Sequence, residues 1–172
     1  MPKLSKKTLV VYYSKSGNTR RVALKIREKT GADCYEVEPI DDYQRSWKLY
    51  WIAVKHFITR KRPKLRGSPP NFEAYDVIFV GCPIWAAFPF RAWTIPPPLL
   101  SFLYQNRFQN KKVVPFATYD GYAGRFFEIF EKKAKDARII NGLIFKNVPR
   151  VSEKILEEQT AALLKKVAEA NV

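Results

Sequence analysis

Short, unbroken apolar runs recur along this chain, each followed by a stretch whose apolar residues return every three or four positions. The first run, Thr8–Tyr13, predicts a strand covered on both faces. Val22, Ala23 and Ile26 then predict a helix over about Thr19–Thr30, with Gly31 placed where a helix C-terminal glycine belongs. The same reading predicts strands at Cys34–Val37, Val77–Gly81, Val113–Thr118 and about Arg138–Phe145. It predicts helices over about Arg45–Thr59, up to Gln105, over about Arg125–Lys135 and over about Glu153–Ala170. The triplet Pro96-Pro97-Pro98 belongs before the helix that ends at Gln105 or in its first turn, since a proline in a helix interior costs about 3 kcal/mol. Ser152 is the expected cap of the last helix, with Ile155, Leu156, Ala162, Leu163 and Val167 along its apolar face. Lys61–Asn71 carries Pro63, Gly67, Pro69 and Pro70 and reads as loop.

Strands that alternate with helices imply a parallel sheet joined by right-handed crossovers. The expected fold class is therefore α/β, a three-layer, doubly wound, five-stranded parallel sheet. No linker, repeat or low-complexity tract interrupts residues 1–172, which read as one domain. Sheets of this kind bind ligands beyond the carboxyl ends of their strands, at the point where the strand order reverses. The loops after strands one, three and four are thus expected to form one site.

Composition narrows the picture. Apolar content of 47% with 27% charged residues fits a soluble globular chain, and no apolar run approaches a membrane span. The N-terminal residues lack a secretory pattern, and Cys34 and Cys82 form no metal-ligand spacing, so a reducing cytoplasm is the expected setting. Lys and Arg number 31 against 16 Asp and Glu, a net charge of +15 that favours anionic partners. Eight of these cations fall between residues 45 and 66, a stretch without Asp or Glu: Arg45, Lys48, Lys55, Arg60, Lys61, Arg62, Lys64 and Arg66. Trp47, Tyr50, Trp51, Val54, Phe57 and Ile58 share that stretch at helical spacing. The aromatic face is expected to cover the sheet edge. The cluster Arg60–Arg66 is a candidate docking surface for an anionic partner, with nucleic acid the less favoured one.

The candidate chemistry lies in three loops. Ser14-Lys15-Ser16-Gly17-Asn18-Thr19 joins the first strand to the first helix. Its backbone N–H groups, its hydroxyls and the helix N-terminus suit a phosphate. It is neither a Walker loop nor a Gly-x-Gly-x-x-Gly turn. The second loop, Gly81-Cys-Pro-Ile-Trp-Ala-Ala-Phe-Pro-Phe90, presents Trp85. The third, Thr118-Tyr-Asp-Gly-Tyr-Ala-Gly124, presents Tyr119 and Tyr122.

Ser14-x-Ser16-Gly17-x-Thr19 resembles the S/T-x-S/T-G-x-T phosphate loop of flavodoxins. Tyr75-Asp-Val-Ile-Phe-Val-Gly-Cys-Pro-Ile-Trp85 and the Thr118–Gly124 loop are similar to the ring-contacting segments of flavodoxins and flavodoxin-like FMN oxidoreductases. The resemblance implies strand order 2-1-3-4-5 and non-covalently bound FMN as cofactor. It implies that Ser14, Lys15, Ser16, Gly17, Asn18 and Thr19 hold the phosphate. Pro83, Ile84 and Trp85 would meet one side of the flavin ring, and Thr118, Tyr119, Asp120, Gly121, Tyr122 and Gly124 the other. It implies no catalytic side chain and no metal. The expected role is an electron carrier serving a protein partner, and the basic cluster Arg60–Arg66 would then dock an acidic redox protein or the phosphate of NAD(P)H. The alternatives are an NAD(P)H-dependent quinone-reductase type of enzyme, or a cofactor-less module that binds anionic surfaces or nucleic acid. Typical flavodoxins are acidic, and this chain departs from them in its charge.

Overall fold

A computed structural model describes residues 7–40, 62–87, 92–109, 111–121 and 123–170. The central sheet contains β1 (Thr8–Tyr12), β2 (Asp33–Glu36), β3 (Val77–Pro83) and β6 (Lys112–Tyr119), with β7 (Arg138–Ile139) and β8 (Leu143–Lys146) sharing one edge. All are parallel, in the order β2-β1-β3-β6-β7, and β8 pairs with β6 beyond β7. Counting β7 and β8 as the two halves of one edge strand, this is the expected order 2-1-3-4-5.

The four described helices are α1 (Asn18–Thr30), α2 (Pro97–Gln105), α3 (Phe126–Lys133) and α4 (Glu153–Glu169). Strand parity sorts the core into two layers, because successive side chains leave a strand on opposite faces. Val10, Tyr12, Val77, Phe79, Val114 and Phe116 pack with Val22, Ala23 and Ile26 of α1 and Leu156, Leu163 and Val167 of α4. Leu9, Val11, Ile78, Val80, Cys82, Val113 and Ala117 pack with Leu99, Phe102 and Leu103 of α2 and Phe126 and Phe130 of α3. Every residue of β1 is buried, as its unbroken apolar run requires.

Local chemistry sets the element ends. Gly31 stops α1 in the left-handed conformation, φ 70°, and its N–H reaches the Arg27 carbonyl at 2.8 Å. Pro96 caps α2, and Pro97 and Pro98 occupy its first turn, where no N–H is needed. Ser152 caps α4 by accepting from the Ile155 N–H at 3.3 Å. The buried stripe of α4 is Leu156, Thr160, Leu163 and Val167; Ile155 and Ala162, expected on that face, are exposed. The Pro83–Phe90 segment, expected as loop, contains a short strand: β4 (Trp85–Ala87) pairs antiparallel with β5 (Ala92–Thr94). The predicted helix over Arg45–Thr59 lies outside the described residues.

The last strand is broken, where one continuous strand was expected. Val113 pairs with Ile139 but Phe116 pairs with Leu143, so three residues on the edge face two on β6. The Ile140 N–H reaches the Val113 carbonyl at 2.9 Å, which turns the Val113 backbone toward the edge strand. Pro115, two residues on, faces the same way and has no N–H to offer. The extra residue bypasses that missing donor as a bulge. Gly142 lies there, where a Cβ would overlap the Pro115 carbonyl oxygen.

Gly81 is the other glycine held by close approach. It pairs with Tyr12 on one side and Phe116 on the other, and a Cβ would overlap the buried Phe116 ring. Gly81→Ala is expected to destabilise the fold by about 1–3 kcal/mol through overpacking. Phe116→Leu should recover part of that loss in a urea-denaturation double-mutant cycle, and it should recover none of the loss caused by Gly31→Ala.

Candidate functional site

Parallel strands bring the loops after β1, β3 and β6 to one edge of the sheet. The backbone continues the ladder past the strand ends: Tyr13 N–H donates to the Gly81 carbonyl at 2.9 Å, and Ile84 N–H to the Thr118 carbonyl at 2.9 Å. Side chains complete the join. The buried hydroxyls of Thr19, in the first turn of α1, and Thr118, near the end of β6, share a hydrogen bond of 2.8 Å. The Trp85 ring meets Tyr13 edge-on, with centroids 6.0 Å apart, and the Lys15 ammonium lies over the Trp85 ring at 5.3 Å. Ser14–Thr19, Ile84, Trp85 and Thr118 are therefore gathered into one place.

The loop from Ser14 to Thr19 leaves backbone donors open at a helix N-terminus. Gly17 takes a left-handed conformation, φ 87°, at the start of α1, and no acidic residue stands in the helix's first turn. Ser14 is buried, and its hydroxyl oxygen accepts from the Arg20 N–H at 3.2 Å. The Arg21 N–H goes to the Gly17 carbonyl at 2.9 Å. The N–H groups of Asn18 and Thr19, which the helix cannot satisfy, have no acceptor among the described residues. A phosphate would supply one.

Ion pairs anchor the loop on either side. Arg20 grips Glu36 at the end of β2 through Nε at 3.1 Å and a terminal nitrogen at 2.7 Å, and the Tyr12 hydroxyl donates to the same carboxylate at 3.2 Å. Arg21 reaches the Val148 carbonyl at 2.6 Å, the Val151 carbonyl at 3.1 Å and Glu153 at 2.6 Å, tying α1 to the start of α4. Arg20 and Arg21 thus spend their charge on the frame. Burial, reinforced by the neighbouring Glu36 carboxylate, pushes the Tyr12 phenol up to about 12. Burial alone pushes the Cys82 thiol well above its ordinary range, which fits an inert core thiol.

The third loop is partly placed. Tyr119 is half-buried at the end of β6, and its carbonyl accepts from the Asn147 N–H at 2.9 Å. Asp120 and Gly121 are exposed, and Gly124 has φ 59°. Tyr122 lies outside the described residues. No described hydrogen bond or ring contact joins Tyr119, Asp120, Gly121 or Gly124 to Trp85 or to Ser14–Thr19. Sequence reasoning missed Tyr13, which closes β1 by pattern but sits on Trp85 in space. It also missed Arg20 and Arg21, whose only sequence signal was charge beside the loop, and Glu36, which only the β1–β2 register brings there.

Of the basic stretch, Arg45, Lys48, Lys55, Arg60 and Lys61 lie outside the described residues. The Arg62 guanidinium stacks on the exposed Tyr104 ring of α2, 3.2 Å from its centroid. Lys64 and Arg66 flank Leu65, which bridges to Pro39 just past β2. Among the described residues, none of these three cations contacts the three loops. No described helix is long and apolar enough to cross a membrane, and no cluster of His, Cys, Asp or Glu suits a metal among the described residues.

A doubly wound parallel sheet with its loops joined at the β1/β3 switch point is the flavodoxin-like architecture. The flavodoxin family model matches residues 7–159, and the chain belongs to that family. A protein of Bacteroides eggerthii DSM 20697 designated a flavoprotein is 27% identical, with a TM-score of 0.71 over 93% of this chain and 99% of that one. A flavoprotein of Lactobacillus acidophilus NCFM, solved in complex with FMN, is 25% identical, with a TM-score of 0.68 over 81% of this chain and 93% of that one. Oxidised flavodoxin 2 of Bacillus cereus shares the fold at 18% identity, with a TM-score of 0.54 over 93% of this chain and 99% of that one. No curated protein matches this sequence.

The Tyr12 phenol gives this site a pH signature. Because its folded value, about 12, lies above the ordinary value of 10.0, the folded state keeps a proton that the unfolded chain loses. Its contribution to stability is whole below pH 10.0 and is lost as pH rises toward about 12. Tyr35 and Tyr75 are also raised by burial, so absorbance at the phenolate band should show fewer tyrosines titrating near pH 10.0 in wild type than in denatured protein, and Tyr12→Phe should remove a group that titrates toward about 12.

Proposed function

We propose that this chain binds FMN non-covalently and serves as an electron carrier. One observation carries the reading: the Thr19–Thr118 hydrogen bond and the Lys15–Trp85 contact join an anion-ready loop to an aromatic platform. The family and the FMN-bound relative from Lactobacillus support it. FMN supplies reversible one- and two-electron chemistry, and the chain's task is to hold and tune it.

In this reading the N–H groups from Lys15 to Thr19, with the hydroxyls of Ser14 and Ser16, receive the phosphate. The Thr19 hydroxyl stays on Thr118 and fixes the spacing between phosphate and ring. Pro83, Ile84 and Trp85 would form one side of the ring site, and the half-buried indole would offer it an apolar face. Tyr119, Asp120, Gly121 and Gly124 would meet the other side, with backbone groups at the polar edge of the ring. No side chain is assigned an acid or base role. A carrier needs a partner, and the net charge of +15 makes an acidic redox protein the natural one.

The protein is expected to be yellow as purified, or to retain FMN through gel filtration with its tryptophan fluorescence quenched. Trp85→Leu should weaken FMN binding about tenfold through lost stacking. Riboflavin, without a phosphate, should bind at least about tenfold more weakly than FMN. As a carrier, the protein should bleach quickly with dithionite and only slowly with NADH or NADPH. Rapid turnover of NAD(P)H with a quinone would instead make it an enzyme.

A further inference from the structure

The segment from Ser14 to Arg21 carries three cations, and they are not equivalent. Arg20 is bound two-fold to Glu36. Arg21 is held by Glu153 and two backbone carbonyls. Lys15 is exposed, and its described partner is the Trp85 ring, 5.3 Å away. No carboxylate stands in the loop or in the first turn of α1. Of these three cations, Lys15 is therefore the one with no described carboxylate partner, and its ammonium stands over the aromatic platform.

We propose that Lys15 is a tuning residue which makes the Trp85 platform prefer an electron-rich, negatively charged ring over the neutral form of the same ring. The inference rests on the FMN reading above and adds which residue sets the redox preference of the site. When FMN takes up two electrons and one proton from a reductant such as dithionite, its ring system carries one more negative charge than before. A ring held against Trp85 would come within reach of the Lys15 ammonium, which stands 5.3 Å from the indole centroid, and Coulomb attraction would act on the reduced ring and not on the oxidised one. The indole keeps the ammonium near the ring, since a cation over an aromatic face is itself attracted. Arg20 and Arg21 exert little of this pull because their carboxylates cancel it.

The experiment compares wild type, Lys15→Gln and Lys15→Arg, with circular dichroism as the folding control. Dissociation constants are measured for FMN and for riboflavin, each oxidised in air and each reduced by dithionite under anaerobic conditions. Lys15→Gln should weaken binding of the reduced ligand about tenfold more than binding of the oxidised one, and the ratio should be the same with riboflavin. Lys15→Arg should keep most of the wild-type ratio, and the midpoint potential of bound FMN should fall in Lys15→Gln only. The proposal is overturned if Lys15→Gln weakens oxidised and reduced FMN alike and leaves riboflavin unaffected, for then Lys15 serves the phosphate. It is overturned as well if no ratio changes. Wild type that binds neither form of FMN would overturn the FMN reading itself, and that outcome is distinct from wild type that binds both forms with unaltered ratios in the variants.

Discussion

The molecule depends on the register Tyr12–Gly81–Phe116 across β1, β3 and β6. Tyr12 is the last residue of β1, Gly81 admits the Phe116 ring where any other residue would exclude it, and Phe116 lies three residues before the Tyr119 carbonyl. Because the three strands are parallel and in this register, their carboxyl ends lie at the same edge of the sheet, with β3 running on to Pro83 and β6 to Tyr119 beyond the level of Tyr12. The Tyr13 N–H can then reach the Gly81 carbonyl and the Ile84 N–H the Thr118 carbonyl. The Thr19–Thr118 hydrogen bond follows, between residues 99 apart in the chain. A shift of one residue in β6 would turn the Thr118 hydroxyl to the opposite face of the sheet and break the join.

Charge is distributed on the same frame. The sum of +15 suggests a surface uniformly attractive to anions, but the described cations divide into those that hold the fold and those that face outward. Arg20 and Arg21 are structural: one binds α1 to β2, the other binds α1 to the turn before α4. Lys25 joins the second set of contacts through Glu28, Glu153 and Glu157. Arg62 is engaged with Tyr104. The positive potential at the site thus comes from few residues, and total charge is a poor guide to it.

Much of this was legible in the sequence, for stated physical reasons. Unbroken apolar runs mark strands covered on both faces, so β1, β3 and β6 were visible within two residues at either end. Gly31, the proline triplet and Ser152 mark helix ends by backbone chemistry that acts within one turn. That the loops after β1, β3 and β6 meet was legible because parallel strands bring their carboxyl ends to one edge of the sheet. What was not legible depended on distant partners. Nothing local places Tyr13 on Trp85, or gives Arg62 to Tyr104. Ile155 and Ala162 fit the helical period as well as Thr160 does, and only the sheet beneath α4 decides which face turns inward. The Trp85–Ala87 strand was hidden because three residues are too few to show a period.

The broken edge strand shows how a local conflict is resolved to the site's advantage. Pro115 stands inside β6, between two neighbours, where a missing N–H has to face one of them. Facing β3 it would have weakened the β3–β6 pairing that carries Gly81 and Phe116. It faces the edge instead, and the cost falls on the strand with a free outer side. One inserted residue and the close fit of Gly142 restore pairing at once, so Phe116 to Tyr119 are matched to Leu143 to Lys146. The stretch of β6 that leads into the third loop is therefore paired on its edge side as well as to β3, which reaches Thr118 through Pro83. Asn147, left-handed at φ 51°, then turns the chain away while its N–H holds the Tyr119 carbonyl. The loop that begins at Thr118 starts from a strand anchored on both sides, which is what lets Thr118 act as a fixed partner for Thr19.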